Sequence, residues 1–443
     1  MGAVKRILLA AGILVLLLAG ILGAVAFVKL RQPPDVRGSS TAEFVTTAVA
    51  VAPQKPAEQG ILWPMYGYSP NRLRVGPGKE RPPFHRLWLF RAGQLLEFPP
   101  AIAYGRLFFA NARGTVFAIS SKTGKRAWRR QTGRCQASSP AIDRHVVFFT
   151  FLRSCSGKAR SDDGLLIAYA VGTGKVRWQR RIGQSESSPI VYRGHVYVGD
   201  WTGTVSSFVA RTGKLAWTFR SEGKVKSAVA ISGNKLFFGS YDHHVYALNL
   251  ATGKLVWRAD AQNRGFLSRG TFYGGPAVAY GRVYIGSTDG KVYSFGAASG
   301  QVRWVTGTGN WVYSSPAVWE QRVYAGSYDG SLYCFDAATG EVKWRFKANG
   351  KISGSPTIVN GIVYFATLAR RTYGVDATTG KQVWTFPDGE YTPVVSDADR
   401  LYLIGQARIY ALRGKVNVEA QRGRRKRSPS ATGRPASAAP TRS

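Results

Sequence analysis

From Arg86 to Arg413 apolar and polar residues alternate in short runs, separated by pairs and triplets of turn formers. The stretch Ser188–Phe219 shows the pattern: SPIVY, a turn at Arg-Gly-His, VYVGD, a turn at Trp-Thr-Gly, TVSSFVA, a Thr-Gly turn, then LAWTF. Period-two alternation, β-branched and aromatic content, and glycine where turns need positive φ predict four antiparallel strands per such unit. A different pattern opens the chain. Ile7–Val28 is 22 residues without a charge, and a helix of that length rises about 33 Å, enough to cross a ~30 Å hydrocarbon core. Helix is expected there and nowhere else.

The strand units repeat. Thr-Gly-Lys-x-x-Trp or a close variant stands at Thr123–Trp128, Thr173–Trp178, Thr212–Trp217, Thr252–Trp257, Ser299–Trp304, Thr339–Trp344 and Thr379–Trp384. Trp88, in RLWLFRA, has the same tail without the turn. Successive tryptophans from Trp88 are 40, 50, 39, 40, 47, 40 and 40 residues apart. A period near 40 with four strands per unit describes propeller blades rather than a helical solenoid. After Trp384 only three strands follow, at Tyr391–Val395, Leu401–Gly405 and Arg408–Leu412. The missing fourth is expected from residues around Trp88, closing the ring at eight blades and removing open sheet edges.

These repeats resemble the pyrroloquinoline-quinone (PQQ)-like repeat of eight-bladed propellers, a family that includes the outer-membrane assembly lipoprotein BamB and the quinoprotein alcohol dehydrogenases. WPMYGYSP (Trp63–Pro70) also resembles the lead-in that precedes such propellers. The resemblance implies that Trp88, Trp128, Trp178, Trp217, Trp257, Trp304, Trp344 and Trp384 dock between neighbouring blades and are structural. It also implies, for the dehydrogenase branch, calcium held by Glu, Asn and Asp, a catalytic Asp and a disulfide between adjacent cysteines. No Cys-Cys pair and no CxxCH motif occurs in the chain.

The expected fold class is thus all-β, an eight-bladed β-propeller of four-stranded antiparallel blades with an N-terminal transmembrane helix. Residues 1–30 read as a cytoplasmic N-terminus and signal-anchor, 31–60 as a Pro/Ala/Thr-rich linker, 61–413 as the propeller, and 414–443 as a disordered basic tail carrying GRRKR at Gly423–Arg427. Lys5 and Arg6 precede the apolar run without an acidic residue, the pattern of a signal or anchor, while Ala24-Val25-Ala26 offers a small-residue cleavage site. Lys29, Arg31 and Arg37 on the far side offset the positive-inside signal, so orientation leans on other features.

Loop placement follows from strand order. Connections from second to third strands, and from each fourth strand to the next blade, share one face, where the longer units hold their extra residues at Ser156–Gly164 and within Ala261–Gly275. Extra length on a single face marks the binding face. Cys135, before the first strand of its blade, and Cys155, after the second, fall nearly opposite each other on that face, within disulfide reach if the register holds. A bridge there requires an oxidising compartment. Cys334, in LYCFD, alternates with buried positions and reads as a core residue. Trp201, Tyr241, Trp311, Tyr313 and Tyr328 are the candidate binding residues of the loop face.

Chemistry is otherwise sparse. Asp200, Asp242, Asp289 and Asp329 occupy equivalent turns, which reads as turn-forming chemistry rather than one calcium site. His243 and His244 are adjacent on a strand pattern and point to opposite faces, a poor chelating pair. No Ser-His-Asp order, GxxxxGK[ST] or HExxH is present. Charge is the remaining signal. The chain carries 61 Lys+Arg against 24 Asp+Glu, a formal net charge of +37. Five basic and two acidic residues lie in the first 43, and nine basic and one acidic from Arg413 onward, leaving +26 on the propeller. Such a field attracts anionic polymers, lipid headgroups or acidic protein surfaces. No nucleic-acid-binding pattern accompanies it, and no nucleic-acid partner is expected.

Together these features give an expected function: a membrane-anchored, extracytoplasmic, monomeric propeller that scaffolds envelope proteins without catalysis and without a cofactor or metal. The alternatives are a sensor or binder of anionic cell-wall polymer or a small ligand, and a PQQ-dependent dehydrogenase.

Overall fold

The computed structural model describes residues 2–30, 35–38, 41–46, 60–155, 163–262 and 270–414. It is an eight-bladed β-propeller of four-stranded antiparallel blades. Blade 3 is typical: Ile190–Tyr192 lines the centre, followed outward by His195–Gly199, Thr204–Val209 and Leu215–Arg220. Burial falls outward, because the three inner strands pack between neighbouring blades while the fourth exposes every residue but its packing side chains. The ring closes as expected. Blade 8 takes Val394–Ser396, Leu401–Ile404 and Arg408–Gly414 from the end of the ring and Phe84–Arg91 from its start.

One joint recurs between blades and accounts for the repeated phrase. Each tryptophan of a fourth strand lays its ring on the Thr-Gly turn of the next blade and donates its indole N–H to a carbonyl just before that turn. Trp128 Nε1 reaches Val171 O at 2.9 Å, Trp178 reaches Ala210 O at 2.9 Å, Trp217 Leu250 O at 3.2 Å, and Trp304 Ala337 O at 3.0 Å. Trp88, Trp257 and Trp344 do the same to Ser121, Ala297 and Ala377. The turn glycine is needed twice over. Gly174 has φ +67°, in the left-handed region that favours glycine, and a Cβ there would sit 2.7 Å from the Trp128 ring. Trp384 is the exception: blade 8 has no Thr-Gly turn, and the ring meets Phe84 edge-on at 5.2 Å instead.

The lead-in is not a peripheral strap. It runs through the central channel, pairing Ile61–Trp63 with Ala101–Ala103 of blade 1 and Val75–Gly76 with Thr357–Val359 of blade 7. Between these ends its carbonyls accept the same inner-strand N–H in one blade after another. Ile142 N donates to Pro64 O, Ile231 N to Pro70 O, Val278 N to Asn71 O, Val318 N to Leu73 O and Ile358 N to Arg74 O, at 2.7–3.1 Å. Inner strands would otherwise leave these donors facing the channel, and the plug satisfies them.

Part of the expected linker also docks. Val36 bridges Val305 on the outer edge of blade 5, with N–H···O distances of 2.9 and 2.8 Å, and Asp35 Oδ1 accepts Gly307 N at 3.0 Å. Glu43 pairs with Arg303 at 2.8 Å. The strap thus descends the edge of Val302–Gly307, from its loop-face end toward the Thr-Gly turns, and shields an edge that other blades expose. The remainder of that linker, the basic tail beyond Gly414 and most of the two insertions (156–162 and 263–269) lie outside the described residues.

The apolar N-terminal run forms the expected helix, Gly2–Leu30. Ile13, Leu14, Val15, Leu16, Leu17, Leu18, Ile21 and Leu22 are all more than half exposed. Among the described residues no helix is long and apolar enough to cross a membrane.

Two measurements check this frame. Gly174→Ala is expected to cost about 2–4 kcal/mol, from left-handed strain plus overpacking against Trp128. Gly194→Ala, at φ +76° with open space around it, should cost only about 1 kcal/mol. Equal losses in chemical unfolding of the two variants would refute the joint as the reason for the glycine.

Candidate functional site

The connections that enter each blade converge on one end of the channel, and their geometry repeats. Counting back three residues from the start of each inner-strand segment (Pro100, Pro140, Pro189, Val229, Pro276, Pro316, Pro356, Pro393) gives Glu97, Ala137, Glu186, Lys226, Tyr273, Tyr313, Ser353 and Glu390. Six of these eight equivalent positions line a cavity at the mouth: Glu97, Glu186, Lys226, Tyr273, Tyr313 and Ser353. About 530 Å³ of space, open to solvent, lies among them. Tyr66 of the plug is at its base, its hydroxyl 2.8 Å from Ser355 Oγ. The channel is therefore a cup rather than a bore.

The mouth is aromatic and acidic, although the chain is basic. Lys226 is held on every side: its Nζ lies 3.2 Å from Glu186 Oε2 and sits 4.4 Å from the Trp201 ring, 5.6 Å from Tyr241 and 5.7 Å from Tyr273. That arrangement is an ammonium in an aromatic box, favoured by ring quadrupoles and desolvation. The Lys226–Glu186 pair neutralises itself, and the Lys226 charge also favours an ionised Glu97, but by less than burial and Glu186 oppose it. Burial, with the nearby Glu186 carboxylate adding to it, pushes Glu97 up to about 7. Burial likewise raises Glu390, whose Oε2 is closed off without a hydrogen-bond partner.

The loop-face aromatics proposed from sequence converge here. Trp201, Tyr241 and Tyr328 occupy equivalent second-to-third strand turns, and each backbone N–H is tied to the connection entering its own blade: Trp201 N to Gln184 O, Tyr241 N to Lys224 O, Tyr328 N to Trp311 O, at 2.8–3.0 Å. They stand as an outer tier around the mouth positions. Tyr313 meets Tyr328 at 4.9 Å and Tyr273 at 5.1 Å, and Trp311 packs edge-on to Tyr313 at 5.9 Å while remaining 49% exposed. The five residues thus form an arc across blades 3, 4 and 6, which Tyr273 of blade 5 joins up. Sequence reasoning missed Glu97, Glu186, Lys226, Tyr273, Tyr391 and the Tyr66 floor. The available signal for Glu97, Glu186, Lys226 and Tyr273 was the position three residues before each inner-strand segment, which opens on proline in seven repeats and on Val229 in blade 4; Tyr391 and Tyr66 lie outside that signal.

Other sequence-selected residues have local roles. Asp200, Asp242, Asp289 and Asp329 accept hydrogen bonds from their own turns, as in Asp200 Oδ1 with Thr202 N at 2.8 Å and Asp329 Oδ1 with Ser331 N at 2.8 Å. Asp242 and Asp329 also accept a tyrosine hydroxyl, from Tyr246 at 2.8 Å and Tyr333 at 2.5 Å. His244 is pinned between Asp242 at 3.2 Å and Asp260 at 2.6 Å, whereas His243 turns to Gly270 O. Among the described residues no group of three or more His, Cys, Asp or Glu could hold a metal ion. Cys334 is fully buried in the core between blades 6 and 7, and burial pushes its thiol up to about 12.

Cys135 and Cys155 form a disulfide with Cα atoms 5.1 Å apart. The register behind it is a short ladder: Cys135 N to Arg153 O at 3.0 Å, Leu152 N to Cys135 O at 2.9 Å, and Cys155 N to Gly133 O at 3.2 Å. Arg134 adds an ion pair to Asp163 at 2.7 Å.

The family model for the outer membrane protein assembly factor BamB matches residues 85–188, 162–304, 241–333 and 314–437. BamB of Burkholderia pseudomallei (strain K96243) is 25% identical over 172 residues, 38% of this chain and 42% of that protein. A quinoprotein ethanol dehydrogenase of Pseudomonas aeruginosa is 36% identical over 89 residues, 18% of this chain and 14% of that enzyme. The chain thus spans less than half the length of these curated relatives. The crystal structure of BamB from Moraxella catarrhalis has the same fold, with TM-score 0.63 at 18% identity, covering 74% of this chain and 99% of that one.

The disulfide and Glu97 each give an expected outcome. Cys135→Ser/Cys155→Ser opens a loop with a sequence separation of 20 and should cost about 3 kcal/mol, read as a lowered melting temperature that reductant reproduces in the parent protein. Glu97 binds its proton more tightly folded than unfolded, so the stability it confers is complete below pH 4.5 and lost as pH rises through about 7. Glu97→Gln should match the parent at pH 4 and exceed it at pH 8 by up to about 3 kcal/mol. Parallel stability–pH curves for the two proteins would sink the assignment.

Proposed function

The chain belongs to the BamB-like family of PQQ-repeat propellers, and on that premise we propose that it is a non-catalytic protein-binding scaffold, anchored in a cell membrane with its propeller on the extracytoplasmic side. The observation that carries the reading is the aromatic arc at the channel mouth, with Trp311 half exposed at its edge. Large rigid rings on loops held by a stiff frame are the anchors protein interfaces use, since they contribute area at low entropy cost. The disulfide supports an oxidising compartment. The exposed apolar helix, continuous with the 22-residue uncharged run, supports an anchor.

The tether restricts how such a scaffold could stand. Four residues separate Leu30, at the helix end, from Asp35 at the loop-face rim of blade 5. Fully extended, that gap spans no more than about 18 Å. The blade 5 rim therefore stays close to the helix end, and in a membrane the mouth would lie on the bilayer side of the ring. A partner would accordingly be a neighbouring envelope protein rather than a distant soluble one. The propeller itself is read as monomeric.

A second reading rests on charge. The outer strands of blades 1 and 2 expose Arg126, Arg129, Arg130, Arg177, Arg180 and Arg181 on adjoining edges, which suits an anionic cell-wall polymer. The dehydrogenase reading is not supported by the residues present. The quinone is a tricarboxylate, and the mouth offers it Glu97 and Glu186 with a lysine already paired and boxed. The turn aspartates are engaged in their own turns, and the cysteines of the one disulfide lie 20 residues apart rather than adjacent.

Photocrosslinking in intact cells tests the scaffold reading. A crosslinker replacing Trp311 should trap one defined envelope protein, still recovered at moderate salt, whereas one replacing Asn234 on the opposite face should not. Heterogeneous, salt-labile adducts would favour the polymer instead. Saturable heat and dye reduction on adding the quinone with calcium to the purified protein would overturn both.

A further inference from the structure

Two arginines lie at the centre of the ring. Arg72 and Arg74 belong to the plug and are 0% and 2% exposed. Among the described residues neither has a carboxylate within ion-pair distance. Arg72 is satisfied by carbonyls: Nε donates to Val229 O at 2.9 Å, Nη2 to Ser188 O at 3.1 Å, and Nη1 to Tyr66 O. It thereby ties blades 3 and 4 to the plug.

Arg74 has the Tyr66 side chain as its hydrogen-bond partner, but its other nitrogens are not satisfied by carbonyls. Its guanidinium carbon lies 4.2 Å from the centre of the Tyr66 ring, while Nε and Nη2 are sealed from solvent and have no hydrogen-bond partner. These two nitrogens form one edge of the guanidinium, the pair of parallel N–H groups that grips two oxygens of a carboxylate, phosphate or sulfate. The edge best suited to an oxyanion is therefore the edge left empty-handed. A buried cation with unmade hydrogen bonds is among the costliest features an interior can hold.

The surroundings do not supply the missing charge. Tyr66, not Arg74, lines the mouth, and among the described residues no mouth carboxylate is paired with the guanidinium. In the same inner layer Trp63 Nε1 and Ser396 Oγ are also buried without partners, and both side chains crowd Gly76, two residues beyond Arg74. Arg72 adds a second positive charge beside Arg74; burial, followed by the neighbouring Arg74 charge, lowers Arg72 to about 9.

We propose that the Nε/Nη2 edge of Arg74 holds one small oxyanion inside the propeller, as a structural ligand that neutralises the plug. The sealed position implies uptake during folding and slow exchange afterward. Tyr66, tied to Ser355, closes the site from the mouth, so this ligand is separate from any partner of the mouth and independent of the scaffold reading.

The test uses the full chain in detergent, prepared free of phosphate and sulfate, with melting followed at constant ionic strength set by sodium chloride. Sulfate or phosphate should raise the melting temperature saturably by several degrees, because a ligand bound only by the folded state stabilises it by mass action. The rise should vanish in Arg74→Met and persist in Arg129→Met, which removes an exposed arginine. Formate forms a third arm: a rise with formate alone assigns the site to a carboxylate, and a rise with sulfate assigns it to an inorganic oxyanion. Equal responses in the parent and both variants, or no response at all, overturn the proposal. Should Arg74→Met fail to fold, crystals of the parent protein grown with selenate decide it. An anomalous peak within hydrogen-bond distance of Arg74 Nε and Nη2 supports the site, and peaks confined to surface arginines refute it.

Discussion

The tryptophan-on-glycine joint is the interaction on which the remaining structure depends. A four-stranded blade buries little by itself, so stability comes from blade against blade, and each interface is held at its outer edge by one indole. The ring covers the bare backbone of a Thr-Gly turn and its N–H finds a carbonyl beside it, as with Trp128 on Gly174 and Val171. Apolar area and a buried donor are thus satisfied by the same side chain. The joint also explains the closure. The strand Phe84–Arg91 carries Trp88, which docks on Gly124 of blade 1, and Phe84, which meets Trp384 of blade 7. One strand from the start of the ring therefore seals both flanks of the last blade, and neither seam can open without losing it.

Symmetry of this kind leaves eight equivalent inner edges facing a channel, and the plug breaks it. Residues from Ile61 to Gly76 accept hydrogen bonds from blades 2, 4, 5, 6 and 7 at corresponding positions and pair directly with blade 1. Running a non-repeating segment past repeating donors needs unusual backbone, and Tyr68, Arg72 and Arg74 all take positive φ there. That strain is of the order of 1–3 kcal/mol per residue and persists because so many inner-strand donors hold the segment in place. The result is a cup with a tyrosine at its base, and the mouth chemistry follows from which residue each repeat happens to place three positions before its inner strand.

Legibility in the sequence tracks this division between repeat and exception. Blade count, strand order, closure near Trp88 and the Cys135–Cys155 pairing were readable, because alternation and the tryptophan period fix register, and register brings the two cysteines opposite each other. The apolar run was readable as a helix. Glu97 and Glu390 were not readable as neighbours, since they lie 293 residues apart and meet only across the seam between blades 8 and 1. Lys226 looked like one more surface lysine in a chain with 61 Lys+Arg, and nothing local announces the ring of Trp201, Tyr241 and Tyr273 around it. The plug arginines were least visible, because Arg72 and Arg74 sit in a segment with neither repeat nor strand alternation. The docked strap residues 35–38 and 41–46 were hidden for the same reason.

The charge distribution that emerges is layered, and the layering has consequences for specificity. Arginines cover the outer strands of blades 1 and 2, carboxylates and tyrosines ring the mouth, and two buried arginines lie beside Tyr66. Screening acts unequally on these layers: charges on the outer strands are within reach of salt, whereas the boxed Lys226 and the plug arginines are not. An attraction to anionic surfaces could therefore be tuned by ionic strength without disturbing the mouth. Conversely, a partner that reads the aromatic arc meets rings that already carry Lys224, Lys226 and Lys351, with Glu186 paired to Lys226 and Glu97 raised to about 7, so contact there rests on apolar area more than on net charge. The outer strands and the mouth therefore respond separately to ionic strength, and their relative orientation is set by the frame.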